Sequence, residues 1–320
     1  MSALTHDAAT TRTAPGLLLG LTAAATFAAS GPLAKGLIAA GWTPGSAVTA
    51  RVLIAAAVLV VPAAMTLRGR WHLLRAQAGL VIAYGLIAVA ACQLSYFNAV
   101  DRMQVGVALL IEFTAPVAVV GWMWLRHGQR PGRLTVAGAL AALVGLALVL
   151  DLVSGAELDG IGVLWALGAM VCAAFYWIVS ADDQNGLPGI VLAAGGLLLG
   201  GVTLLAAGAI GVVPFAASRA DVILDGRAVA WWVTLLVLGV VTAAVPYVLG
   251  IAGSRLMGSR LASFVGLAEA VAGVVFAWLL LDEAPRAIQL LGGVCILAGV
   301  VLVRLGEPKV AEAPPEGVTP

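Results

Sequence analysis

The sequence predicts an all-α integral membrane protein, ten transmembrane helices arranged as two inverted five-helix repeats. Three observations carry that expectation. Apolar residues make up 62% of the 320 and charged residues 10%, far from the balance of soluble domains. Apolar stretches recur along the whole chain at about 20 residues each, the length at which a helix crosses hydrocarbon. Residues 103–149 return, diverged but in register, as residues 257–303.

The stretches place ten spans at about 16–38, 46–67, 78–99, 104–125, 133–151, 160–180, 189–212, 230–252, 260–281 and 287–304. The first has Asp7 ahead of it and lacks the short apolar core and small-residue cleavage site of a signal peptide, so it is expected to be retained. Residues 1–15 read as a cytoplasmic tail, 16–152 as the first repeat, 160–304 as the second, and 305–320, rich in Pro, Glu and Ala, as a disordered cytoplasmic tail. Because such a chain matches itself by chance at roughly a tenth of positions, the rarer coincidences weigh most. They are Trp124 with Trp278, Pro131 with Pro285, Gly138 with Gly292 and Gly145 with Gly299.

Basic residues near span ends stay on the cytoplasmic side. With the N-terminus inside, eleven fall in the cytoplasm (Arg12, Arg68, Arg70, Arg75, Arg126, Arg130, Arg133, Arg255, Arg260, Arg304, Lys309). Four fall outside (Arg102, Arg219, Arg227, Arg286), and adding Lys35 and Arg51 makes six. Both termini are therefore expected in the cytoplasm. Five spans per half is an odd number, so the second half is expected to be inverted. Inverted repeats recur in secondary transporters, where two similar halves supply states open to opposite sides. A duplicated anchor or scaffold, or a membrane enzyme, are the plainer alternatives.

Enzyme chemistry finds little support in the residues. His6, His72 and His127 fall in tails or loops, which argues against a metal site in the membrane, and no nucleophile–base constellation or nucleotide-binding glycine loop is present. Cys92, Cys172 and Cys295 fall in separate spans and suggest no disulfide framework. No cofactor is expected; the partners expected are a small-molecule substrate and the lipid bilayer, not nucleic acid.

Ionisable side chains inside spans each cost about 2.5–3.5 kcal/mol at a helix centre, so they mark candidate sites. Glu112 and Glu269 reach the middle of spans four and nine, where a carboxylate pairs with a basic group, binds a cationic group of the substrate, or carries a proton. Lys35 and Arg51, nearer span ends, can snorkel to water or receive a carboxylate. Gly31 and Pro32 should kink the first span just before Lys35. Gln93, Ser95, Tyr96 and Asn98 form a polar cluster in span three, at the place where its counterpart, span eight, has Pro246 and Tyr247, and bond between helices or touch substrate. Tyr176 and Trp177 form an aromatic wall or face lipid. Trp42, Trp71, Trp122, Trp231 and Trp232 are expected to anchor at the interface. Pro116 kinks span four, with Ala270 as its repeat partner. The paired glycines of spans five and ten permit close packing and leave room for a homodimer contact.

The turn Asp282-Glu283, matched by Gly128-Gln129 in the first half, with Gln289-Leu290-Leu291-Gly292 and Leu297-Ala298-Gly299-Val300, resembles the EamA-type members of the drug/metabolite transporter superfamily. The resemblance covers about Gly16 to Val303, although the family's Glu-Pro in span nine is Glu269-Ala270 here. Leu33-Ala34-Lys35, the run from Ala108 to Pro116 and Val245-Pro246-Tyr247 are most similar to the threonine and homoserine exporter branch. The resemblance implies export of small amino acids or related metabolites, driven by a proton gradient. Hydrophobic cations or a lipid-linked metabolite on the same fold are the alternative.

Overall fold

The computed structural model describes residues 3–115, 132–149, 159–181 and 186–306. Pro116, Trp122, Trp124, the inner part of span four and the C-terminal tail lie outside them. Helical backbone begins at Ala3, within the stretch expected to be a tail: α1 covers Ala3–Ala28 and α2 Ser30–Ala39. The interruption at Ala29 follows from Pro32, which offers no N–H and crowds the carbonyls of the preceding turn. A reciprocal cap starts α3 (Pro44–Thr66): Thr43 N–H donates to Ser46 Oγ at 3.1 Å and Ser46 N–H to Thr43 Oγ1 at 3.3 Å, with Pro44 at the first helical position.

After α4 (Trp71–Ala76), the third span runs as α5 (Ala78–Ala83), a π-helical run π1 (Tyr84–Ala91) and α6 (Cys92–Arg102). Short α7 (Val105–Glu112) follows, then α8 (Arg133–Val149), α9 (Gly160–Ala181) and α10 (Gly189–Ala209). The segment from Trp231 repeats the pattern of the one from Ala78: α11 (Trp231–Leu236), π2 (Val237–Ala244), then α12 (Val245–Leu281). The π runs start at Tyr84 and Val237, positions that the sequence repeat brings almost into coincidence. Such runs are rare and concentrate at functional sites. The chain ends in α13 (Ala287–Gly306).

Helical backbone is continuous through α12, but α12 is not one rod. Tyr247 stacks on Phe27, while a Cβ on Gly273, near the other end of the same run, would touch Leu109 and lie 3.8 Å from the Ala28 carbonyl. Between them Gly253 sits against Gly16 and Gly20, toward the opposite end of α1. A straight helix would separate positions 247 and 273 by about 39 Å. The run therefore travels along α1 and folds back.

Glycines set the closest helix contacts. A Cβ on Gly145 would lie 2.6 Å from the Gly292 carbonyl and 2.7 Å from the Ile296 amide; one on Gly299 would lie 2.5 Å from the Gly138 carbonyl and 2.6 Å from the Ala142 amide. Exchanging every residue with its partner in the other repeat turns one contact into the other. Likewise Gly85 packs on Gly196 and Leu199, and its counterpart Gly239 packs on Arg51 and Ile54.

Among the described residues six helices are long and apolar enough to cross a membrane, and three shorter apolar helices accompany them. Large apolar side chains such as Leu18, Val61, Leu140 and Leu164 are exposed around the rim, as lipid contact requires. The all-α expectation needs one correction. Between α10 and α11, β1 (Val222–Leu224) and β2 (Arg227–Val229) pair antiparallel around Asp225-Gly226, both at positive φ. Asp-Gly is the dipeptide that favours such a turn, and the apolar count passed over it. Val222 and Leu224 cover the bare face of Gly36, and Asp225 N–H donates to the Leu280 carbonyl at 2.9 Å. The segment before the hairpin is bound to the turn between α2 and α3: Thr43 Oγ1 donates to the Pro214 carbonyl at 2.8 Å and Ser46 Oγ to that of Ala216. Trp42, expected at the lipid interface, is instead buried, donating to the Ser218 carbonyl at 2.9 Å and packing on Trp231. Trp71 and Trp232 are exposed.

Replacing Gly145 by Leu forces backbone apart and should destabilise by about 1–3 kcal/mol, read as a lower Tm in detergent, whereas exposed Leu143→Ala should leave Tm nearly unchanged. A second expectation concerns the start of α9. There Asp159 accepts from the amides of Ile161 and Gly162 at 2.9 and 3.0 Å and from Arg102 at 3.2 Å. The Gly162 amide foremost, then Arg102, holds its carboxyl below the usual range. A lowered folded-state value adds stability above the unfolded value and loses it as pH falls through the folded one. Asp159→Asn should therefore shrink the difference in Tm between neutral pH and about pH 3.

Candidate functional site

The interior at mid-bundle is organised by Arg51, 1% exposed. Rather than snorkelling, its side chain turns inward from α3. Nη1 donates to Gln93 Oε1 on α6 and Nη2 to the Thr242 carbonyl on π2 at 2.5 Å. The guanidinium lies 5.0 Å from the ring centre of Phe27 and 5.5 Å from that of Phe97, in cation–π range. Local sequence explains the carbonyl. Pro246 has no N–H to offer the residue four before it, which frees the Thr242 oxygen inside an apolar environment. Arg51 of the first half thus satisfies a backbone group opened by a proline of the second.

Around this pair stand the two carboxylates. Glu112 ends α7, where the chain turns at Phe113 and Thr114; Cys92 Sγ points at its Oε1 from 4.0 Å and at the Ala169 carbonyl from 3.7 Å. Glu269, on α12, lies within electrostatic reach of Arg51, Tyr176 and Glu112. Both are half-buried, whereas Arg51 is sealed. One guanidinium thus faces two carboxyl groups, one more than it balances when both are ionised. A proton or the ammonium of a bound molecule restores the balance in a medium that penalises net charge.

Aromatic residues wall the compartment. Tyr176 meets Trp177, Tyr247 and Tyr84 with ring centres 5.2, 5.9 and 6.0 Å apart, and the Tyr84 hydroxyl is 3.4 Å from Ser180 Oγ. Trp177 rests on the bare face of Gly266. Tyr96, on α6, lays its hydroxyl against Gly31, where a Cβ would clash. Between α1, π2 and α12 a cleft of about 480 Å³, lined by Leu21, Ala25, Thr26, Val241 and Phe276 among others, reaches Thr242.

Sequence reasoning placed ten binding or coupling candidates, and the structure gathers most of them. Arg51 bonds Gln93, Tyr176 packs on Trp177 and Tyr247, and Glu112 and Glu269 lie within electrostatic reach of Arg51, so these seven form one connected cluster, with Tyr96 packed on Gly31 beside it. Asn98 does not join them: its Nδ2 donates to the Leu94 carbonyl of its own helix at 2.7 Å. Lys35 does not either. Its Nζ is 2.5 Å from Glu283 Oε1 and donates to the Met103 carbonyl at 2.8 Å, toward the end of the bundle that carries the β-hairpin. Of the kink candidates, Pro32 follows the break at Ala29 and Pro246 follows π2. Phe27, Tyr84, Phe97 and Thr242 were not singled out, and Glu283 only as part of the turn that carries the family resemblance. Pro246 carried the signal for Thr242, since its missing N–H points to the carbonyl four residues back.

Arg51→Lys should lower Tm, because one ammonium cannot reach both Gln93 and the Thr242 carbonyl while lying over two rings. Arg51→Ala should lower it further, by about 3–5 kcal/mol in stability, since it strands buried partners.

Comparison with known proteins bears on what this compartment serves. A model of the EamA-like transporter family matches twice, over residues 14–151 and 160–305. An uncharacterized transporter of Archaeoglobus fulgidus is 28% identical over 208 residues, 65% of this chain and 70% of that protein. A solved crystal structure superposes with a TM-score of 0.60 over 91% of this chain and 96% of the other, at 21% identity, which speaks to the fold alone. With both matches spanning most of the sequence and the helices apolar enough to cross a bilayer, the chain is a multi-pass membrane protein and belongs to the EamA-like transporter family.

Proposed function

We propose that this protein is a secondary active transporter that exports small amino acids or related metabolites across the plasma membrane by alternating access, coupled to protons. The observation that carries the substrate class is the unused donor of Arg51. Among the described residues its Nε is buried with no hydrogen-bond partner, while Glu112 and Glu269 share its compartment. A zwitterion meets both demands: its carboxylate accepts from Nε and its ammonium takes the place of the proton between the carboxylates. Exchange of ammonium for proton at one pair of groups is the simplest coupling such a charge balance allows.

The alternating-access part of the reading draws on the repeat. The reciprocal glycine contacts and the matching π runs support a duplicated chain; ten spans, cytoplasmic termini and an inverted second half are part of the proposal and rest on span length and the distribution of basic residues. A second reading, export of hydrophobic cations, is favoured by the aromatic wall and by the apolar cleft that reaches Thr242. Such a cation would use the carboxylates and rings and leave Nε unused.

Purified protein in proteoliposomes distinguishes them. Counterflow of labelled L-threonine and of a labelled mixture of small amino acids should accelerate with a pH gradient and fall at least tenfold in Glu112→Gln or Glu269→Gln. Equal flux in both variants and the parent would remove the carboxylates from the mechanism. Flux of tetraphenylphosphonium without flux of amino acids would favour the second reading.

A further inference from the structure

We infer that Lys35 and Glu283 form a clamp that holds the transport pathway shut at the hairpin end of the bundle, an inference that rests on the alternating-access reading. The two residues belong to parts of different stiffness. Glu283 follows a tightly fixed turn: Asp282 adopts φ +56°, its N–H bonds to the Trp278 carbonyl at 3.1 Å, and Glu283 N–H bonds to that of Ala277 at 3.3 Å. This is the closed helix end that makes a rigid platform. Lys35 rides on α2, a short segment separated from α1 by the break at Ala29. A short rod beyond an interrupted hydrogen-bond ladder can swing where a continuous helix cannot.

The ion pair is the centre of a wider closure. Lys35 Nζ binds both Glu283 Oε1 and the Met103 carbonyl, and Glu283 Oε2 accepts from Val105 N–H at 3.0 Å. Gln289 Nε2 donates to Gln104 Oε1 at 3.3 Å, so the segment between α6 and α7 is tied to α13 as well. One lysine and one glutamate thereby join α2, the start of α7 and the end of α12. Of these elements α7 also carries Glu112 and α12 carries Glu269. The bare face of Gly31, one turn before Lys35, lets Tyr96 and Val105 press against α2, so release of the pair loosens this packing as well. Side chains of the pair remain partly accessible, at 26% and 15%, so water can reach and separate them, unlike the sealed Arg51.

Cys92, buried beside Glu112, supplies the reporter. With Cys172 and Cys295 replaced by Ala, its rate of labelling by a membrane-impermeant cationic methanethiosulfonate is measured by mass spectrometry, with the reagent applied to each face of proteoliposomes in turn. Lys35→Ala and Glu283→Gln should each raise the rate at least tenfold from the hairpin face and not from the other. The exchanged pair Lys35→Glu with Glu283→Lys should return it toward the parent. Unchanged labelling in both single variants would overturn the clamp, and so would an equal rise from both faces, which marks general loosening. Amino-acid counterflow is followed on the same vesicles. Labelling that responds as stated without counterflow upholds the clamp and overturns only the substrate reading.

Discussion

The contact of Arg51 with the Thr242 carbonyl is the constraint on which the rest of the interior depends. A guanidinium in an apolar bundle needs its donors satisfied and its charge balanced. The carbonyl released before Pro246 satisfies one donor, Gln93 another, and two rings and two carboxylates answer the charge. The groups so joined come from α1, α3, α6, α7, π2 and α12. Helices that could otherwise slide in lipid, with no hydrophobic force between them, are thereby registered on one another.

The duplication explains where the site lies. Contacts that survive in both halves, such as those of Gly145 and Gly299 or of Gly85 and Gly239, are packing contacts between backbones. The proposed site draws instead on positions where the halves part company. By the pairing of those contacts Gly196 takes the place of Arg51, and its bare face is filled by Tyr84. Gly266 takes the place of Glu112 in the sequence repeat, and Trp177 fills that face. Arg51 and Glu112 of the first half are thus each matched in the second by a glycine on which an aromatic ring packs, Tyr84 on Gly196 and Trp177 on Gly266.

Much of this was legible in the sequence, for particular physical reasons. Spans were readable because hydrocarbon demands about 20 apolar residues, and the carboxylates because charge in such a span is rare. The π runs were not, since Tyr84–Ala91 and Val237–Ala244 are apolar stretches with no composition that separates π from α. The fate of Lys35 was not either. Its partner Glu283 sits in a turn near the far end of the chain, and only packing reveals that an ion pair, rather than water or substrate, receives the ammonium. The β-hairpin had a signal in Asp225-Gly226, a turn dipeptide that apolar run length does not register.

The central claim is that a proton and a substrate ammonium exchange at Glu112 and Glu269 beside a fixed Arg51. Proton release on binding tests it most directly: purified protein in weakly buffered detergent solution, mixed with an equimolar set of proteinogenic amino acids, with an indicator dye reading the pH. The account predicts release of about one proton per protein, abolished in the variant that carries Gln at both 112 and 269. Heat of binding without proton release, or release unaltered in that variant, would contradict it.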